Sequence, residues 1–306
     1  MAPDDPFVEG PVGVEVPATS ANLGPGFDCL GLALELSDTL TAEVRDAGLA
    51  VEVTGAGAEE VPRDERHLVV RAMRETFAVL GVRPPGLWLR CTNRIPHSRG
   101  LGSSSAAIVG GIVLARALVR EGERMDDAAA LALANRLEGH PDNVAPALLG
   151  GFVISGQDAG KVWAEQAPVH PEVSAVVLVP PFGVRTDLAR GLLPELVSHA
   201  DAAANTGRAA LLVAALGGGH ASMLVRATED FLHQRQREPA MPESLALVRD
   251  LRAQGIAAVV SGAGPTVLAF VVGGDPSTYD VVAAHLPEGW QQLPQAVGGP
   301  GARVLV

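Results

Sequence analysis

A chain of 306 residues suits two packed domains or one large one, and 47% apolar residues are enough to build a sizeable core. A formal net charge of −12, with no basic block, argues against nucleic acid and against an anionic membrane surface as partners. Cys29 and Cys91 make neither a C-x-x-C pair nor a metal-ligand spacing, which fits reduced thiols in a cytoplasmic protein. The acidic, proline-rich start is unlike a signal or transit peptide, and no apolar run is long enough to span a bilayer.

Val12, Val14 and Val16 alternate as in a half-buried strand, which Pro17 is expected to end. Residues 18–26 are rich in turn formers and read as a loop. Strands are expected at 39–45 and 49–54, then a helix over 66–80 capped by Asp64 and closed by Gly81. Leu87, Leu89 and Cys91 alternate again and lead into a glycine-serine loop.

That loop is the most telling stretch of the chain: Pro96-His97-Ser98-Arg99-Gly100-Leu101-Gly102-Ser103-Ser104-Ser105-Ala106-Ala107. Gly100 and Gly102 lack a Cβ, so the backbone can turn sharply and approach a ligand closely. The apolar helix expected over 106–119 begins with unpaired N–H groups and the positive end of its dipole. Loop and helix start together form an anion site, and the phosphate chain of a nucleotide is the anion that fits. Arg99 just ahead of the hydroxyls favours the same reading. The familiar phosphate loop requires a lysine, but Lys161 is the chain's sole lysine and lies far along the sequence.

Asp126 or Asp127 caps a further helix reaching about 137, with Gly139 as its stop. Residues 150–154 begin a strand that turns near Asp158-Ala159-Gly160. The second half reads as a strand over 174–179, helices over 187–193, 198–216, 221–233 and 242–254, and strands over 256–260 and 266–272. The two strands are joined by Ser261-Gly262-Ala263-Gly264-Pro265. A helix over 277–286 and a last strand over 302–306 finish the chain. Their sequence is the β-α-β-β-α-β order of a ferredoxin-like split fold with extra helices inserted.

Three segments together resemble the GHMP kinases: Val16-Pro17-Ala18-Thr19-Ser20-Ala21-Asn22-Leu23-Gly24-Pro25-Gly26-Phe27-Asp28, the Pro96–Ala107 loop, and Ser261-Gly262-Ala263-Gly264-Pro265-Thr266. Within that superfamily the first segment, Glu138-Gly139-His140-Pro141-Asp142-Asn143 and Thr186-Asp187-Leu188-Ala189-Arg190 are most similar to the homoserine kinases. The resemblance covers essentially the whole chain. It implies an α+β protein of two domains, an N-terminal ribosomal-S5-like domain (1–160) and a C-terminal ferredoxin-like domain (161–306), with the active site between them. It implies ATP and Mg2+ as cofactors, L-homoserine as acceptor in threonine biosynthesis, and a homodimer as a common state.

The resemblance also implies roles for residues. Pro96, His97, Ser98, Arg99, Gly100, Leu101, Gly102, Ser103, Ser104, Ser105 and Ala106 are expected to hold ATP, and Ser104 with Glu138 the metal. Magnesium takes oxygen ligands and keeps waters, so one hydroxyl and one carboxylate suffice. Homoserine is a zwitterion, so its carboxylate calls for arginine and its ammonium for a carboxylate. Arg190 and Arg237 are the expected carboxylate clamps, with Arg235 the alternative to Arg237. Asn22 and Asp28 are expected at the amino group, and His140 and Asn143 on the pocket wall. Glu138, Asn143 and Thr186 are the residues expected to serve catalysis, with no strong side-chain base. A related small-alcohol kinase, or a non-catalytic sensor on the same fold, are the competing readings.

Overall fold

The first strand does not stop at Pro17. In the computed structural model, which describes residues 5–274 and 276–305, β1 runs Val12–Asn22 and absorbs the proline at a register shift between Pro17 and Thr19. A bulge is where a strand tolerates a residue without an N–H. β2 (Gly26–Arg45) pairs antiparallel with β1 and is much longer than the strand expected over 39–45. Its first half was hidden because Leu30, Leu32, Ala33 and Leu34 are all buried, and a strand covered on both faces shows no alternation.

β3 (Gly48–Gly55) and β4 (Gly86–Asn93) run parallel and are joined by α1 (Leu68–Val79). Asp64 does not cap α1: its carboxylate takes the Arg66 amide at 2.9 Å, and His67 occupies the N-cap position. α2 (Ser103–Leu118) starts three residues earlier than expected and packs against β1, β2 and α1. Asp126 caps α3 (Asp127–Glu138) by accepting the Ala129 amide at 2.8 Å, and Gly139 ends it at φ 98°. The helix end thereby fixes Glu138 over the start of α2.

α4 (Pro141–Leu149) was not anticipated, since prolines at its first position and at 146 disguise it. β5 (Phe152–Asp158) and β6 (Lys161–Ala167) form the expected hairpin. β7 (Val173–Val179) opens the second sheet. α5 (Thr186–Gly191), α6 (His199–Gly218) and α7 (Ala221–Ala227) follow. α7 ends six residues before the expected 233. Beyond it, the Asp230 carboxylate accepts the amides of Leu232, His233 and Gln234 and starts the short α8 (Gln234–Arg237).

The chain then makes α9 (Pro242–Ala253), β8 (Ala258–Val260), β9 (Val267–Val272), α10 (Pro276–His285), β10 (Gln291–Ala296) and β11 (Arg303–Leu305). The second sheet has the antiparallel order β10-β7-β9-β8. Numbered within the sheet this is 4-1-3-2, the split β-α-β-β-α-β arrangement. The strand that completes it is β10, which sequence reading overlooked, and not the last strand. β11 pairs with β1, so the first sheet reads β11-β1-β2-β4-β3 with β5 and β6 branching from β2. Strands from both sides of residue 160 therefore share that sheet.

Val173, Ala175, Val177 and Val179 of β7 face a core shared with the first sheet, while Val176 and Leu178 face a second core built with α9. Both faces are covered, which explains the unbroken apolar run. Each fully buried valine or leucine contributes roughly 1.5–3 kcal/mol. No helix among the described residues is long and apolar enough to cross a membrane.

Candidate active site

Gly102 is the N-cap of α2 at φ 69°, and Gly100 lies at φ 75°. A Cβ on Gly102 would fall 2.0 Å from Thr19 Oγ1, and one on Gly100 would fall 2.2 Å from the Ser261 carbonyl oxygen. Only glycine fits either place. Leu101 between them is buried, and its carbonyl accepts the Thr19 amide at 3.1 Å, pinning the loop to β1. No side chain among the described residues caps α2, which leaves amides at its start available to an anion.

Two cavities flank this loop. One, of about 250 Å³, is mainly apolar and includes Val61, Pro62, Leu68, Val69 and Leu40 in its lining. The other, of about 170 Å³, is lined by Asn22, Glu138, His140, Asp142, Asn143, Thr186, Arg190, Arg237, Gly262 and Ala263. Ser98, Ser103 and Ser104 belong to both, so the loop and the start of α2 form the junction. An apolar slot, an anion cradle and a charged pocket thus follow one another in space.

The loop residues divide by task. His97 and Ala106 line the apolar cavity, while Gly100 and Gly102 line the charged one. Pro96, Arg99, Leu101 and Ser105 line neither. The Arg99 guanidinium, expected near phosphate, donates instead to the carbonyls of Pro180 at 3.1 Å and Pro181 at 2.8 Å. It fastens the loop to the segment that leads into α5.

Ser104 and Ser105 donate to the same Glu138 oxygen, Oε1, at 2.7 and 2.8 Å. No hydrogen bond to Oε2 is present among the described residues. Hydroxyl lone pairs and a carboxylate oxygen side by side make a hard-donor pair suited to Mg2+. A second cluster, Asp28, His140 and Asp142, brings its ligand atoms within 4.8 Å of one another. Its groups are already engaged: His140 Nδ1 lies 2.5 Å from Asp142 Oδ1, and Asp28 is held by Arg190. With both carboxylates already paired, this cluster is less suited to a divalent metal than the Ser104–Glu138 pair.

Arg190 forks onto Asp28 through two bonds of 3.0 and 2.6 Å, which raise the pKa of the guanidinium. Arg237 is 1% exposed and donates to the Gly262 carbonyl and to His233 Nδ1. Burial, then repulsion from Arg190, brings its pKa down to about 10, so it stays charged at pH 7. Both guanidinium groups lie over the Phe27 ring, at 5.6 and 5.5 Å from its centroid. Arg235 lines a separate outer cavity with Glu229 and Glu238, so Arg237 is the one that faces the charged pocket.

Asn22 lines the pocket with both ends of its amide spent, one on the Gly262 carbonyl at 2.9 Å and one on the Asp28 amide at 3.0 Å. It positions Asp28 through its amide oxygen. Asn22, Leu23 and Asp28 all have φ between 49° and 68°, backbone that is costly for such residues and that clusters at functional sites. The amide oxygen of Asn143 accepts the Thr19 hydroxyl at 2.7 Å. Thr186, exposed at the first turn of α5, lies across the pocket.

Sequence reading missed Asp142, which is 1% exposed and supplies the pocket's buried carboxylate. It lay inside the quoted Glu138–Asn143 run, but nothing local marks it apart from any helix-start aspartate. Phe27 and His233 were missed likewise, since their roles arise only where distant segments meet. Burial and the carboxylates of Asp142 and Asp28 push the nearby Cys29 thiol up to about 11, so it offers no thiolate.

Residues 67–151 match the GHMP kinases N terminal domain, and residues 201–290 match the GHMP kinases C terminal domain. The homoserine kinase of Streptomyces avermitilis is 54% identical over 300 residues, covering 98% of this chain and 97% of its own length. The chain belongs to the homoserine kinases of the GHMP kinase family. The homoserine kinase of Streptomyces coelicolor is also 54% identical, covering 98% of this chain and 96% of its own. The crystal structure of homoserine kinase from Cytophaga hutchinsonii superposes with a TM-score of 0.84 at 25% identity, over 100% of this chain and 99% of that one.

Burial disfavours the charged form of His140, but the hydrogen bond and charge of Asp142, with Glu138 beyond, outweigh it and raise its pKa. The pair's contribution to stability is complete below the ordinary histidine value near 6.5 and is lost as pH rises through the raised value. An NMR titration of the free protein should find the His140 midpoint above that ordinary value, and Asp142→Asn should bring it down. An unshifted midpoint, or one indifferent to the substitution, would contradict the pairing.

Proposed function

We propose that this chain transfers the γ-phosphoryl group of ATP to the side-chain hydroxyl of L-homoserine, forming O-phospho-L-homoserine for threonine biosynthesis. The observation that carries the reading is the charge layout of the smaller cavity, where Arg190 and Arg237 stand beside Asp28 and Asp142. An amino acid brings a carboxylate and an ammonium that such a layout receives. A sugar or a mevalonate acceptor has no ammonium to match the two aspartates.

The nucleoside occupies the apolar cavity and its phosphates the cradle, held by backbone amides from Gly100 to Ser105. The Ser104 hydroxyl and the Glu138 carboxylate are the residues for Mg2+, which supplies charge neutralisation on the phosphates when bound. Arg190 exchanges part of its Asp28 contact for the substrate carboxylate. Arg237 is already fixed by Gly262 and His233, so it adds attraction at little further ordering cost. Asp28 and Asp142 take the ammonium, and His140, held by Asp142, closes that wall.

The reaction has no dedicated side-chain base in this reading. Phosphoryl transfer depends on in-line placement and electrostatics more than on prior deprotonation. Asn143, anchored by Thr19, and Thr186 orient the acceptor hydroxyl, which loses its proton late to a phosphate oxygen.

Magnesium-dependent ADP release measured with homoserine, mevalonate, galactose and shikimate should appear with homoserine alone. Release with another acceptor would reassign the substrate, and release with none would leave a sensor on a kinase fold. Arg190→Ala should raise the homoserine KM at least tenfold, since one charge-assisted hydrogen bond is worth about 1.5–3 kcal/mol, with ATP affinity barely altered. Glu138→Gln should lower kcat and move the magnesium titration to higher concentration. A magnesium curve identical to that of the unaltered protein would remove Glu138 from the metal site.

A further inference from the structure

One polar group of the apolar cavity has no partner. His67 at the N-cap of α1 is 5% exposed, makes no side-chain capping bond, and leaves its Nδ1 without a hydrogen bond among the described residues. Its ring lines the cavity together with Val61, Pro62, Leu68 and Val69. A buried polar atom left unmet carries the full cost of losing water, and native folds keep few of them.

Several of the neighbouring polar groups are engaged elsewhere. Asp38 Oδ1 accepts the amides of Arg94 at 2.6 Å and Ile95 at 2.9 Å. Asn93 donates to the Ala56 carbonyl at 3.2 Å and lies 3.4 Å from His97 Nε2. Arg66 is paired with Asp64 at the surface. Ser98, Ser103 and Ser104 belong to the junction with the charged pocket. Among the described residues that line this cavity, His67 is the one with a buried side-chain nitrogen that has no hydrogen bond.

Resting on the nucleoside reading of this cavity, we propose that His67 contacts the edge of the purine base and accepts a 6-oxo purine about as readily as a 6-amino one. The second half follows from the missing partner. A histidine is held in one tautomer by whatever its other nitrogen bonds. Nothing among the described residues bonds Nδ1 of His67, so its other nitrogen can donate to a carbonyl oxygen or, bare, accept from an exocyclic amino group. Burial and the neighbouring His97 lower its pKa, so the ring is neutral at pH 7 and both tautomers are available. A fixed donor or acceptor would reject the mismatched base by up to roughly 10⁴–10⁵-fold. An exchangeable one does not.

The test compares ATP with ITP, which differ only at the purine C6 and N1, as phosphoryl donors to homoserine. The full chain should show kcat/KM values within about tenfold of each other, and ADP and IDP should bind with similar Kd by calorimetry. His67→Phe, which keeps the ring and removes the polar edge, should raise KM for both nucleotides about tenfold while kcat and the homoserine KM move little. His67→Gln, whose amide can turn either end to the base, should recover most of that loss. Melting temperatures identify any variant that fails to fold, in which case the calorimetric comparison on the unaltered chain decides. A preference for ATP of roughly a hundredfold or more overturns the tautomer argument, and an unchanged KM in a folded His67→Phe overturns the contact. If neither nucleotide supports phosphorylation, the nucleoside reading falls and takes this one with it. If both do and His67→Phe is neutral, only this one falls.

Discussion

The peptide group of Gly262 is the point on which the site depends. Its amide donates to the Ala21 carbonyl at 3.0 Å, and its carbonyl accepts both Asn22 and Arg237. The Ser261 hydroxyl beside it lies 2.8 Å from Ser20 Oγ and 2.7 Å from the Gly100 carbonyl. Stretches centred near residues 21, 100, 236 and 262 are tied within a few bonds. Each bond alone contributes about 0.5–1.5 kcal/mol, but together they set where an anion cradle stands relative to two arginines. Geometry of that kind is what phosphoryl transfer requires of a protein, because the chemistry itself needs little covalent assistance.

The charged pocket obeys a related economy. Ionisable side chains crowded into a small, partly dry space would repel or strand one another if left single. They are instead matched: Arg190 with Asp28, His140 with Asp142, and Glu138 with two hydroxyls. In the proposed reaction an incoming zwitterion would replace part of this pairing with its own charges, so its binding would exchange partners and leave no bare ion behind. The same economy suits a pocket whose described lining carries arginine and no lysine. Forked, fixed guanidinium groups suit a carboxylate, and backbone amides at a helix start suit phosphates.

Most of the helices and the glycine loop were legible in the sequence, because caps and periodicity are local signals. Asp126 and Gly139 bounded α3 as their types require. What escaped was non-local. Pro17 ends a strand by local rule, yet a bulge let β1 continue. β2 lost its alternation to burial on both sides, and α4 lay behind two prolines. In the site, the residue types were readable and their pairings were not. Arg99 turned to carbonyls, Asn22 spent its amide on holding a turn, and Asp142 became important only where α4 meets the pocket. Arg237 rather than Arg235 faces the substrate side because the Asp230 turn rotates α8 inward, which no spacing in the sequence reveals.

The return of β11 to the first sheet has a bearing on how the chain matures. The outer edge of β1 accepts its neighbour only when residues 303–305 arrive, and the Gly299 carbonyl then takes the Gly151 amide. During synthesis that edge stays open until residues 303–305 have been made, a row of unmatched backbone groups of the sort that invites association with other chains. Residues 303–305 act as a clasp, reaching back across the molecule to cover the exposed flank of β1.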